Sequence, residues 1–226
     1  MDHLRGAAFA LAPQFVITVE IHGYVGCAFA WRVRLTAAEK GVSFDWIPCD
    51  VETPDPRAAA NNPHEHSPLL FHDGYSLLES EVIANYIDEQ FPGRPLMPDS
   101  PRARATLRLL GIQLRAVDVH TEPSRPEARR KTEPALATLE SVLANGGFSE
   151  GRQLEATTNL PPGAARPFIH GEAPGIVDLM VWPFLFHSAG RGLISDAAFP
   201  LVTAYLRRAA TRPSFNDTRP PWAQAR

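Results

Sequence analysis

The chain has 226 residues, 44% of them hydrophobic, a formal net charge of −3 and two cysteines. That length is enough for a packed core and two small domains, and the slight acidity gives no electrostatic reason to bind nucleic acid. No apolar run reaches the roughly 18 residues needed to span a membrane, and two widely separated cysteines argue against a disulfide framework and for a reducing, cytoplasmic compartment.

Residues 1–13, MDHLRGAAFALAP, are expected to form a flexible extension. Phe15 to Ile21 is rich in β-branched residues and predicts a strand. The turn from His22 to Gly26 leads into a predicted helix that starts at Cys27 and is stopped by Gly41. Cys27 therefore falls where unpaired backbone N–H groups and the positive end of a helix dipole favour a thiolate, which makes it a candidate nucleophile. Cys49, at a strand end, reads as an inert small hydrophobe. Val42 to Asp50 predicts a second strand, and Thr53 to Asn62 reads as an irregular, Pro-rich piece.

A hairpin and a helix follow. Pro68 to Phe71 predicts one strand, Asp73-Gly74 the turn, Tyr75 to Leu78 the other strand, and Glu79-Ser80 opens a helix with Val82, Ile83, Tyr86 and Ile87 at helical spacing. Pro68 cannot donate a ladder hydrogen bond, so neighbouring backbone groups are left for an extended peptide. A helix start at Glu79 and Ser80 suits a carboxylate. Together these features describe a site for a peptide-like ligand with a free amino-acid end.

Phe91 to Ser100 carries three prolines and a glycine in ten positions, the composition of a linker. Beyond it the pattern is helical: Leu107, Leu110, Leu114 and Val117 mark one helix, Leu136, Leu139, Val142 and Leu143 another. The Gly/Pro/Thr-rich stretch from Gly146 to Pro167 is too long for a routine connection and is expected either to be mobile or to roof a substrate site. Pro174 to Phe184 resembles a buried helix of the family named below, in which an aspartate three residues after the N-cap closes a capping box; Gly175 replaces the usual Ser or Thr at the cap, and Asp178 can still reach back to the cap's backbone N–H. The expected divisions are an α/β domain over 14–91, a linker over 92–100 and an all-helical domain over 101–226. His64, His66 and His72 lack a cysteine or carboxylate at metal-ligand spacing, so no metal is expected. No second cysteine lies within three residues of Cys27, which excludes a Cys-x-x-Cys redox cycle.

The stretch N-P-H-x-x-x-P-L-L, then D-G, then L-x-E-S-x-x-I-x-x-Y-I-D-E-x-F-P, between Asn62 and Pro92, resembles the glutathione-binding half of the glutathione transferase family. The resemblance implies an α/β N-terminal thioredoxin-like domain plus an all-α C-terminal domain, glutathione as cosubstrate, and a homodimer. It also implies that Pro68 is cis, that the backbone of Ser67 pairs with the cysteinyl part of glutathione, and that Glu79 and Ser80 hold its γ-glutamyl end. His66 and Ser67 depart from the apolar pair usual there. Cys27-Ala28-Phe29-Ala30-Trp31-Arg32 resembles the Cys-Pro-Phe-Ala-x-Arg motif of the omega class, whose first cysteine is catalytic, with Ala28 departing from the proline. Trp31-Arg32-Val33-Arg34 is equally similar to the zeta class, where a serine stands at the Cys27 position.

The expected function is glutathione-dependent thiol transfer, reduction or deglutathionylation of a small electrophile through Cys27. A zeta-like isomerase, a thioether-forming or thioether-cleaving transferase, and a non-catalytic glutathione or ligand carrier remain alternatives. Tyr24 is the alternative group for activating the glutathione thiol.

Overall fold

The structure, a computed structural model, describes residues 19–49, 55–62, 66–115, 126–145, 147–148, 152–153 and 166–223. The expected N-terminal extension lies outside them. The first strand, β1 (Val19–Gly23), is central in a four-stranded mixed sheet. Phe15 to Thr18, expected in that strand, lie outside the described residues, and the strand extends past Ile21 to Gly23.

Helix α1 (Ala28–Lys40) follows, and Gly41 ends it in the left-handed conformation at φ 76°, its N–H bonding back to Ala37 and Ala38. Strand β2 (Asp45–Pro48) is parallel to β1 and shorter than expected. The irregular piece contains a helix, α2 (Pro56–Asn61). Asp55 caps it, accepting from the N–H of Arg57 at 2.7 Å and of Ala58 at 3.3 Å, and Pro56 occupies the first position, where a missing N–H costs nothing. Strands β3 (Leu69–His72) and β4 (Tyr75–Leu77) form the expected hairpin, with β3 antiparallel to β1 and the sheet ordered β2-β1-β3-β4. Asp73 at φ 48° and Gly74 at φ 82° both take the positive φ that the tight hairpin turn requires.

Helix α3 (Ser80–Gln90) packs Ile83 and Ile87 against the sheet, while Val82 is 51% exposed, contrary to its expected inward position. The connection from Phe91 to Ser100 has no regular structure but is tied down. Asp88 accepts from Lys40 Nζ at 2.8 Å and from the Leu96 N–H at 2.9 Å, and the Ile176 N–H donates to the Leu96 carbonyl at 2.9 Å.

The helical half contains α4 (Pro101–Leu114), α5 (Pro126–Asn145), α6 (Ile176–Gly190), α7 (Pro200–Ala210) and α8 (Pro213–Thr218). Leu107, Leu110, Leu114, Leu136, Leu139, Val142 and Leu143 are all buried as their spacing predicts; Val117 lies outside the described residues. Of the long 146–167 stretch, two short paired segments are described, β5 (Gly147–Phe148) and β6 (Arg152–Gln153), with most of the remainder outside the described residues. Glu140 on α5 caps α7, its two carboxylate oxygens accepting from Leu201 and Val202 N–H at 2.9 Å each.

Helix α1 belongs to both halves. Val33 and Ala37 pack on the sheet, whereas Trp31 and Leu35 enter the helical core. Trp31 is fully buried, packs its ring edge-on against Phe215 and donates to Thr218 Oγ at 3.1 Å.

Asp178 anchors α6 with no solvent contact. Its carboxylate accepts from the N–H of Ile169 at 2.9 Å, the N–H of Gly175 at 2.8 Å and the hydroxyl of Tyr205 at 2.8 Å. Burial outweighs these bonds and pushes its carboxyl up to about 6. Gly175 is forced by a close approach, since a Cβ there would sit 2.9 Å from the Leu96 carbonyl oxygen. That contact explains why the usual Ser or Thr cap is missing.

Candidate functional site

Sheet topology brings the singled-out residues to one edge. β1 runs out at Gly23, the antiparallel β3 runs in at Leu69, and β4 runs out at Leu77, so Cys27, Ser67-Pro68 and Glu79-Ser80 all lie at the same end of the sheet.

Cys27 is the N-cap residue of α1. Its N–H closes the preceding turn on the Tyr24 carbonyl at 3.0 Å, and its carbonyl accepts the first helical bond, from Trp31, at 2.9 Å. The N–H groups of the first helical turn receive no cap from its side chain, and that turn carries no acidic residue. Arg32 and Arg34, further along the helix, are within electrostatic reach of the sulfur. Sγ itself donates a long sulfur hydrogen bond, 3.9 Å, to the Ser67 carbonyl oxygen.

Ser67-Pro68 is cis, the conformation the resemblance implies. The Ser67 hydroxyl does what sequence reading missed: it accepts from the Tyr24 N–H at 3.2 Å and so ties the β1–α1 turn to the proline loop. Gly23 makes this junction possible, because a Cβ there would lie 2.7 Å from that hydroxyl and 2.9 Å from Ala30 Cβ. The turn has a second brace, the Trp222 indole N–H donating to the Gly26 carbonyl at 2.9 Å.

Glu79 has φ 68°, uncommon for a residue with a side chain and a mark of local strain of the kind that collects at binding sites. Its carboxylate is 70% exposed and lies 3.6 Å from His66. Ser80, by contrast, is 3% exposed. Its hydroxyl accepts from Arg32 through both Nε, at 2.8 Å, and Nη2. Two lone pairs are thereby occupied, which leaves the hydroxyl only its proton to give. The partner it can still take is an acceptor.

Arg32 is 7% exposed, with its guanidinium over the rings of Phe29 and Phe184 at 5.0 and 5.5 Å. Burial pulls its pKa down to about 10, which still leaves it protonated at neutral pH. It lines a chamber of about 30 Å³ bounded by α4 and α6, large enough for a water or two. Outside that chamber a groove of about 430 Å³ opens between α3 and α4, lined by Glu79, Glu81, Val82 and Arg115 among others.

Cys49 differs from Cys27. Burial pushes its thiol up, and its sulfur lies 3.9 Å from the Ile47 carbonyl. Among the described residues no group of His, Cys, Asp or Glu is arranged to hold a metal ion; His64 lies outside them. No described helix is long and apolar enough to cross a membrane.

A family model described as Glutathione S-transferase, N-terminal domain, matches residues 21–95, and one described as Glutathione S-transferase, C-terminal domain, matches residues 122–208. The chain belongs to the glutathione S-transferase family. It is 25% identical to a probable glutathione S-transferase of Glycine max, over 90% of this chain and 88% of that one. It is 28% identical to a stringent starvation protein A homolog of Pasteurella multocida (strain Pm70), over 83% of each chain. Among solved structures it is similar to rice GST1 (OsGSTU1) in complex with glutathione, with a TM-score of 0.73 and 24% identity over 91% of this chain and 92% of that chain. That likeness is one of fold: a four-stranded mixed sheet with helices, followed by a helical C-terminal domain.

Proposed function

We propose that this transferase uses glutathione as cosubstrate and Cys27 as nucleophile, in the manner of the omega class. The observation that carries the reading is the placement of Cys27 as N-cap of α1 with its sulfur 3.9 Å from the Ser67 carbonyl, beside a cis-proline. In the reaction, the Cys27 thiolate attacks the glutathione sulfur of a mixed disulfide, releasing the partner thiol and leaving a Cys27–glutathione disulfide. A second glutathione thiolate then attacks that bond, giving oxidised glutathione and free Cys27. The cysteinyl N–H of incoming glutathione competes with the Cys27 thiol for the Ser67 carbonyl, so docking unclamps the sulfur.

Glu79 and Ser80 take the γ-glutamyl end, with the Ser80 hydroxyl donating to its carboxylate. Ser80→Ala removes one hydrogen bond to a charged group, worth about 1.5–3 kcal/mol. Calorimetric titration of the folded variant is expected to show glutathione affinity lowered about 10- to 150-fold; wild-type affinity would refute the assignment. The second substrate, a small hydrophobic or electrophilic molecule, binds between an α/β domain over 14–91 and a helical domain over 101–226, joined by the 92–100 linker, in a cytoplasmic protein.

The chain pairs with a second copy through the α3–α4 face, where Val82 is 51% and Ile112 57% exposed. Light scattering at micromolar concentration is expected to give the mass of a dimer, and a monomer there would count against this pairing.

A further inference from the structure

The last described segment is fastened along the length of α1. Arg212 and Ser214 donate to the Glu39 carboxylate in its last turn, Trp31 in its first turn donates to Thr218, and ahead of the helix the Gly26 carbonyl accepts from the Trp222 indole N–H at 2.9 Å. The third contact falls on the peptide unit that leads into Cys27. That unit is held at both ends, its carbonyl by Trp222 and its N–H, which belongs to Cys27, by the Tyr24 carbonyl at 3.0 Å. Because a peptide is planar, two such bonds fix its orientation. The orientation in turn sets φ of Cys27 at −74°, which with ψ at 119° is the extended conformation of an N-cap residue.

Packing does not call for the indole nitrogen. Trp222 is 37% exposed and meets Trp31 and His187 edge-on, with ring centroids 5.4 and 5.2 Å away. A ring without an N–H would fill the same place between them. Only the nitrogen reaches the backbone before Cys27.

We propose that Trp222 is a positioning residue for the Cys27 reaction: its indole N–H fixes the Gly26–Cys27 peptide and so aims the sulfur at the disulfide it attacks. The inference rests on the reading of Cys27 as nucleophile and deepens it. Displacement at a disulfide needs the thiolate in line with the S–S bond, and a misplacement of about 1 Å costs up to about 100-fold in rate. Without the indole N–H the Gly26 carbonyl turns to water, and the Tyr24 bond alone lets the peptide swing about its N–H end. The glutathione contacts, at Ser67, Glu79 and Ser80, lie elsewhere in the chain, so the loss falls on attack and not on binding.

The test uses Trp222→Phe and a protein carrying β-(3-benzothienyl)alanine at position 222, which keeps the size and shape of tryptophan with sulfur in place of the N–H. Thermal melts confirm that both are folded. Each is expected to lower kcat/KM for a small glutathionyl mixed disulfide, which reports attack by Cys27, about tenfold. Alkylation of Cys27 by iodoacetamide at pH 7, a reagent too small to need an aromatic contact, should slow at least threefold. The calorimetric Kd for glutathione should stay within about threefold of wild type. Wild-type kcat/KM in the benzothienyl protein, undiminished alkylation, or glutathione affinity that falls in step with turnover overturns the role of Trp222 and leaves the reading of Cys27 in place. Turnover that survives Cys27→Ala takes down that reading and this inference with it.

Discussion

Asp178→Ala is expected to lower the free energy of unfolding by about 3–6 kcal/mol, a large share of the roughly 5–15 kcal/mol that a domain of ordinary stability possesses. The substitution strips the acceptor from three donors at once: the Ile169 and Gly175 N–H groups and the Tyr205 hydroxyl. Ile169 and Tyr205 are fully buried, so water cannot replace what is lost. Unsatisfied buried donors cost about 1–3 kcal/mol each. Tyr205→Phe, which removes a single bond, is expected to cost about 1 kcal/mol. Urea denaturation of the three proteins checks both values, and an Asp178→Ala protein within 1 kcal/mol of wild type would mean that α6 is not anchored in this way.

The same carboxyl gives stability a pH dependence of defined sign. In the fold it titrates near 6 instead of near 3.8, so the native state holds its proton more tightly than the unfolded chain does. Its contribution is therefore greatest below pH 4, falls as pH rises between about 4 and 6, and is constant above. The span corresponds to about 3 kcal/mol at ~1.4 kcal/mol per pH unit. Asp178→Asn abolishes this component, so the stability difference between wild type and Asn variant should shift in favour of wild type as pH is lowered through that window.

The second large effect belongs to Cys27. Cys27→Ala is expected to lower kcat/KM for glutathione-dependent reduction of a small mixed disulfide at least 100-fold, about 2.7 kcal/mol of transition-state stabilisation, while glutathione still binds. Iodoacetamide followed by mass spectrometry should label Cys27 before Cys49 at neutral pH. Cys27 stands at the start of α1, whose first-turn N–H groups its side chain does not cap, with two arginines nearby, whereas burial pushes the Cys49 thiol up. Retained turnover in Cys27→Ala would transfer thiol activation to Tyr24. Binding without turnover in wild type would favour the carrier reading.

Much of the molecule was legible because its signals are local. The Asp73-Gly74 turn, the Gly41 stop and the leucine spacing of α4 and α5 each act within a few residues, and each stands where it was expected. Helix α2 had a local signal too, Asp55 before Pro56, but neighbouring prolines and the shortness of the helix made it read as irregular. What could not be read depends on partners distant in the chain. Arg32 and Ser80 are 48 residues apart, so nothing near either residue announces the pair. The Ser67 hydroxyl looked like a tolerated departure from an apolar residue, because its donor is 43 residues away in the first turn. Gly175 looked like a defective cap until the Leu96 carbonyl was seen beside it.

The division of α1 between two cores bears on modularity. Its Val33 side completes the sheet and its Trp31 side completes the helical bundle, and no cut in the connecting segment leaves both satisfied. A recombination event that paired this N-terminal half with a foreign helical half would have to supply a matching socket for Trp31, including an acceptor at the place of Thr218. The two halves are therefore constrained to diverge together: drift at Phe215 or Thr218 is felt one turn away from Cys27, and substitution at Trp31 is felt in the bundle.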